Sequence, residues 1–232
     1  MDSLGAGMLA STQTQQKAAP MATRPAKQKR VHFSMLRNYH PADLITLGNG
    51  AAGTAAIFAI MSYLIAPEIW RVYLSMGLLL VALLFDIADG KIARRRAEHS
   101  PFGQELDSLA DVVSFGVAPA TLAFGLGMRG IIDGVILVYF VACGISRLAR
   151  YNVTAGDLSD AAGKVKYFEG TPIPSSLILV AILALCEYMG RVGDNLPFGM
   201  IDIAGANWHP FSLLFFVNGS AMISKTLHIP KL

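Results

Sequence analysis

Four aspartates sit where aspartates are expensive. Asp86, Asp89, Asp107 and Asp111 lie at the ends of two apolar segments, and an ionised side chain in a bilayer core costs at least ~2.5–3.5 kcal/mol. Asp86 and Asp89 are three positions apart, Asp107 and Asp111 four, so on helices each pair shares a face. The two segments join through a short basic loop, which predicts antiparallel neighbours with all four carboxylates converging at one end. Carboxylates so close repel unless something positive sits among them. All-oxygen donors select a hard cation, Mg²⁺, Mn²⁺ or Ca²⁺, and the lack of Cys and His in the cluster argues against zinc. Gly90, Ala93 and Gly103 fall on or near the carboxylate faces and open space for a ligand or a close helix approach. Divalent ions beside open space suit a phosphate ester. Pairing with Arg94, Arg95 and Arg96 would account for one aspartate; it does not account for four with their glycines.

The surrounding chain reads as a polytopic membrane protein. Of 232 residues, 53% are apolar and 15% charged, against roughly a quarter charged in soluble domains. This excludes a disordered protein, a disulfide scaffold and a basic nucleic-acid binder. The apolar blocks predict an all-α integral membrane fold of about six spans: Leu44–Ile65, Val72–Ala93, Ser108–Met128, Gly130–Arg147, Thr171–Glu187 and a shorter Pro210–Ser224. Residues 196–206, broken by Pro, Gly and Asp, read as a loop. Six spans put both termini on one side. With that topology 16 Lys and Arg fall on the terminal side and 3 (Arg71, Arg129, Arg191) on the other, which places the termini and the aspartates in the cytoplasm. Residues 1–34 read as a basic disordered arm suited to an anionic membrane surface, followed by one domain over 35–232. Cys143 and Cys186 fall inside spans and suggest no disulfide. The sequons at Asn152 and Asn218 read as chance matches.

Asp86-x-x-Asp89-Gly90-x-x-Ala93-Arg94, eight residues, then Gly103-x-x-x-Asp107-x-x-x-Asp111 resembles the full signature of the CDP-alcohol phosphotransferases. That resemblance implies two divalent metals, Mn²⁺ or Mg²⁺, under the diphosphate of a CDP-linked lipid. A hydroxyl attacks phosphorus and cytidine monophosphate leaves. It makes Asp86, Asp89 and Asp107 metal ligands, and Asp111 a ligand or the general base. Gly90, Ala93 and Gly103 leave room for the nucleotide, with Arg94 near its phosphates; Asp107 also belongs to that CDP site. Such a site stabilises attacking and leaving oxygens. The opening segment Pro41-Ala-Asp-Leu-Ile-Thr46-Leu-Gly-Asn49 resembles the family's Pro-Asn-x-x-Thr nucleotide-binding stretch. It departs by one inserted residue and by Asp43. Thr46 and Asn49 are therefore candidates for the nucleotide, or for capping and span–span hydrogen bonds.

The acceptor is a separate question. Ser146-Arg147-Leu-Ala-Arg150-Tyr-Asn152-Val153 and Phe168-Glu169-Gly-Thr-Pro-Ile-Pro174 resemble stretches of the phosphatidylserine synthases, in the wording of a fungal endoplasmic-reticulum member. The implied reaction takes CDP-diacylglycerol and L-serine to phosphatidylserine. Arg147 or Arg150 suits a bidentate bond to the serine carboxylate; Asn152 or Glu169 suits its ammonium. Positive-inside anchoring is the other reading of the two arginines. Inositol or glycerol 3-phosphate as acceptor stays open, and so does a cation transporter built on intramembrane carboxylates. The resemblance also implies a homodimer; Gly48, Gly50 and Gly53 would serve a close helix contact between or within chains.

Overall fold

The computed structural model describes residues 41–95, 101–154, 167–203, 205–224, 226 and 228–230. The basic arm, residues 1–34, and the Arg96 side of the basic loop lie outside them. Helix α1 spans Pro41–Ile65, with Pro41 at its start, where a missing N–H is harmless. The chain turns at Ala66–Pro67–Glu68. Arg71 holds the turn by donating to the Ser62 carbonyl at 2.7 Å and pairing with Glu68 at 2.8 Å. Helix α2 spans Ile69–Arg95.

Helix α3, Pro101–Asp111, runs into a π turn at Val112–Val117 and out through α4, Ala118–Gly125. The sequence accounts for the wide turn. Pro119 has no N–H, and its ring would strike the carbonyl four residues back. The Ala118 N–H instead bonds the Val113 carbonyl, five residues back. Helix α5 spans Ile131–Thr154. Helices α6 (Ser176–Tyr188) and α7 (Leu213–Ile223) each follow a 3₁₀ turn, Ile173–Ser175 and Pro210–Ser212. Strand β1, Tyr167–Glu169, pairs antiparallel with β4, His228–Pro230. Strand β2, Ile201–Ile203, pairs with β3, Ala206–Trp208.

Four helical stretches are long and apolar enough to cross a membrane: Asp43–Ile65, Ile69–Ile92, Phe102–Gly125 and Ile131–Val153. The fifth and sixth apolar segments form shorter helices, Ile173–Tyr188 and Pro210–Ile223. The third span begins at Phe102 rather than Ser108, so Gly103 and Asp107 ride on the helix. The 196–206 loop expected from its Pro and Gly content instead carries β2 and the start of the hairpin to β3. Cys143 and Cys186 are buried and unpaired with each other.

The expected convergence of α2 and α3 holds at their acid-bearing ends, but the main packing is on α1, which meets α2 most extensively and α3 next. Its glycines make this possible. A Cβ at Gly48 would touch the Phe85 ring at 3.4 Å, and one at Gly50 the Ala110 Cβ at 3.5 Å. At Gly53 there is no room at all, because a Cβ would fall 2.7 Å from the Ser114 Cα. These glycines therefore serve contacts within the chain. On the other flank α7 packs against α5 through an edge-to-face pair, Phe140 and Phe215, 5.2 Å between ring centres. Phe115, Leu122, Ile60 and Leu183 complete a buried apolar centre.

Candidate active site

Helix α2 carries Asp86 and Asp89 in its last three turns; α3 carries Asp107 and Asp111 in its last two. The fold brings Asp86, Asp89 and Asp107 together. One carboxylate oxygen of each lies within 4.8 Å of the others. Asp89 is buried and Asp86 half-buried. Asp107 keeps one buried oxygen, Oδ1, with no hydrogen-bond partner. Three convergent carboxylates with an orphaned oxygen fit a hard divalent cation, which would supply the missing positive charge and ligand.

Asp111 stands outside this triad, one turn deeper. It is buried, and Asn49 Nδ2 donates to its Oδ1 at 3.0 Å. Thr46 Oγ1 donates to Asp89 Oδ2 at 2.7 Å. Thr46 and Asn49 are thus one turn apart on α1 and grip one acid on each neighbouring helix. Both are buried span–span hydrogen bonds to carboxyl oxygens. Ser114, in the π turn, donates to the Asn49 carbonyl at 2.9 Å and fixes the same register. Sequence reasoning missed Ser114; its only signal was Pro119, which forces the wide turn that aims it at α1.

Gly90 and Gly103 lie half-buried on the two acid-bearing helices. Ala93 and Arg94 continue α2, with their side chains outside the described atoms. The residues expected to hold an acceptor separate. Arg147 is buried, in the field of the Asp111 carboxylate, and its Nε has no hydrogen-bond partner. Arg150 instead reaches the Ile223 carbonyl from both terminal nitrogens at 3.4 Å, at the end of α7. Asn152 joins α5 to α3: it donates to Ser108 Oγ at 3.0 Å and accepts from Gln104 at 3.3 Å. Glu169 belongs to β1, opposite His228; its side chain lies outside the described atoms. The loop after β1 is held against α7. A Cβ at Gly170, which has φ +73°, would collide with the Met222 carbonyl, and the Thr171 N–H bonds the Ala221 carbonyl at 3.2 Å.

The family model for CDP-alcohol phosphatidyltransferases matches residues 39–208. The chain belongs to that family. Its membrane-integral, mostly helical architecture and its use of divalent metals agree with the helices and the aspartate triad described above. The chain is 44% identical to the CDP-diacylglycerol–serine O-phosphatidyltransferase of Saccharomyces cerevisiae, over 97% of this chain and 84% of that protein. It is 36% identical to the protein of the same name from Helicobacter pylori, over 62% of this chain and 57% of the relative. For Methanocaldococcus jannaschii the figures are 39%, 49% and 50%.

One buried pair escaped the sequence reading. Asp133, at the start of α5, is fully buried and takes the backbone N–H of His209 at 3.0 Å and its Nδ1 at 2.7 Å. An acid inside an apolar span demands a partner, so a partner was foreseeable. Its identity, 76 residues away, was not.

Proposed function

We propose that this chain transfers the phosphatidyl group of CDP-diacylglycerol to the hydroxyl of L-serine, releasing cytidine monophosphate. The observation that carries this reading is the aspartate triad with Asp111 held beside it by Asn49, in a chain similar to enzymes named for that reaction. Asp86, Asp89 and Asp107 would hold Mn²⁺ or Mg²⁺, which when bound neutralises the diphosphate and the charge that develops on transfer. Gly90, Ala93 and Gly103 leave room for the cytidine nucleotide, with Arg94 near its phosphates. Thr46 and Asn49 line the same site while positioning Asp89 and Asp111.

Asp111 is the general base. Asn49 occupies its Oδ1, which leaves Oδ2 to take the serine hydroxyl proton. The serine oxygen forms its bond to the phosphatidyl phosphorus as the bond to the cytidylate oxygen breaks. Arg147 binds the serine carboxylate; its unpaired Nε and its place in the field of Asp111 support that role. Arg150 and Asn152 act as positioning residues, bracing α5 against α7 and α3. Glu169 remains the candidate for the ammonium.

The charge bias of the loops supports cytoplasmic termini and a cytoplasmic active site. The resemblance of the Phe168–Pro174 stretch to a fungal endoplasmic-reticulum member supports that membrane, and the family resemblance supports a homodimer. One assay tests the reaction. Purified protein with Mn²⁺ is given CDP-diacylglycerol and, in parallel, serine, inositol or glycerol 3-phosphate, and cytidine monophosphate is measured. Release with serine alone, lost in Asp111→Asn, is the expected result. Release with another acceptor would overturn the serine assignment and the role of Arg147. No release with any acceptor, from folded protein, would sink the transferase reading.

A further inference from the structure

At the end of the helices away from the aspartates lies a cavity of about 300 Å³. Asp111 and Gly125 bracket the π turn and α4, so roughly 20 Å of helix separates the two ends at 1.5 Å per residue. The cavity is lined by Tyr63, Arg129, Asp194, Met200, Asn207 and His209, among others. Its floor is a close backbone approach. The Gly193 N–H bonds the Leu126 carbonyl at 2.8 Å, and Gly127, at φ +133°, would strike the Gly193 Cα at 2.6 Å if it carried a Cβ. Nothing in the transfer reaction uses this space.

Its depth follows from the short helices. With its 3₁₀ turn, the α6 segment spans about 24 Å and the α7 segment about 21 Å. A hydrocarbon core is ~30 Å thick. The α6–α7 connector that roofs the cavity must therefore begin within reach of lipid. Its outward side chains agree: Phe198 is 81% exposed, and Met189, Ile201 and Ile203 are exposed as well. Apolar side chains in such number on a connector mark a membrane-facing surface.

The polar groups in the cavity are of both signs. Arg129 spends Nε and Nη2 on the Phe124 and Gly125 carbonyls, which leaves Nη1 for an anion. Asp194 is exposed and has no hydrogen bond or ion pair among the described residues. His209 is 3% exposed, and its Nε2 has no partner. That nitrogen is itself buried and Nδ1 is held by Asp133, so His209 shapes the wall without offering the cavity a free group. The wall therefore offers one site for a phosphate and, in Asp194, one carboxylate for an N–H donor.

We propose that this cavity binds the headgroup of a phospholipid bearing a primary ammonium, drawn from the leaflet opposite the aspartates. Arg129 takes the phosphate; Asp194 takes the ammonium. A trimethylammonium headgroup carries no N–H and cannot hydrogen-bond to Asp194.

Trp208, beside His209, reports the site. The chain has two tryptophans, so Trp70→Phe leaves Trp208 alone. The full chain is reconstituted in phosphatidylcholine vesicles containing increasing fractions of chain-brominated phosphatidylethanolamine or, separately, chain-brominated phosphatidylcholine. Quenching of Trp208 by the ethanolamine lipid is expected at about tenfold lower mole fraction, and Asp194→Lys is expected to abolish that preference. Cytidine monophosphate release by Asp194→Lys, unchanged in detergent, shows the fold intact. Equal quenching by the two lipids, or an undiminished preference in Asp194→Lys, overturns the proposal. Binding is read without turnover, so the result is independent of the acceptor assignment.

Discussion

At the residue scale, the two ends of the aspartate array do different work. Asp107 presents an orphaned oxygen to the triad, whereas Asp111 sits apart with an amide on one oxygen. Asp111→Asn should therefore lower kcat by ~10²–10⁴-fold, the usual worth of a general base, while Mn²⁺ binding followed by electron paramagnetic resonance persists. Asp107→Asn should lose both. Asn49→Ala strands a buried carboxyl oxygen of Asp111, at a cost of about 1–3 kcal/mol. It should reduce kcat about 10- to 100-fold, with the KM for the CDP-lipid little changed if Asn49 acts chiefly by orienting Asp111. The acids and their spacing were readable because a carboxylate is too costly in an apolar segment to stand there without a use. The division of labour among them was not, since it depends on which oxygen α1 reaches. For the same reason Arg147 and Arg150, one turn apart and alike in sequence, separate in the structure. One faces an acid, and the other closes the end of α7.

At the element scale, α1 is the shared wall. Gly53→Ala places a Cβ against Ser114, and overpacking of this kind costs typically ~1–3 kcal/mol; thermal unfolding in detergent should show it. Gly77→Ala, on the exposed side of α2 where a Cβ meets nothing, should leave stability unchanged or slightly raised. Pro119→Ala restores an N–H and lets the π turn relax toward an ordinary α turn. That would rotate α3 against α4 and swing Asp111 from Asn49, so activity should fall much further than melting temperature. The helices themselves were legible from uninterrupted apolar runs. Their neighbours were not. A short connector suggests that α2 and α3 pair, yet the glycine face of α1 admits both helices more closely than they admit each other. The β2–β3 hairpin was missed because three-residue strands are too short to show alternation, and Pro197, Gly199 and Gly205 around them signal a loop.

At the scale of the whole molecule, the two membrane faces are built differently. One end crowds acids together in a way that calls for a cation. The other end buries an ion-pairable couple, Asp133 and His209, that ties α5 to the start of the α7 segment. His209→Ala leaves Asp133 buried without its ring partner, and stranding a buried polar group costs ~1–3 kcal/mol. The variant should unfold at lower temperature or denaturant, yet retain the kcat of the parent while folded. A chelator should do the reverse: abolish cytidine monophosphate release reversibly, with Mn²⁺ or Mg²⁺ restoring it. The basic bias of one side of the chain was plain from the sequence. The second, opposite-facing cavity was invisible there, because its floor is made by backbone approach between Gly127 and Gly193, far apart along the chain.

The grip of α1 on both acid-bearing helices also governs how the chain tolerates insertions and deletions. Each added residue turns a helix by about 100°. An added residue between Pro41 and Thr46 falls ahead of the Thr46 and Asn49 grips, where the first turn can absorb it. The same insertion between Thr46 and Asn49 would rotate one grip away from its acid whichever the other kept. Lineages of this fold should therefore vary in length before Thr46 and stay fixed from there to Gly53, and a one-alanine insertion scan along α1 should trace that boundary as an abrupt loss of turnover.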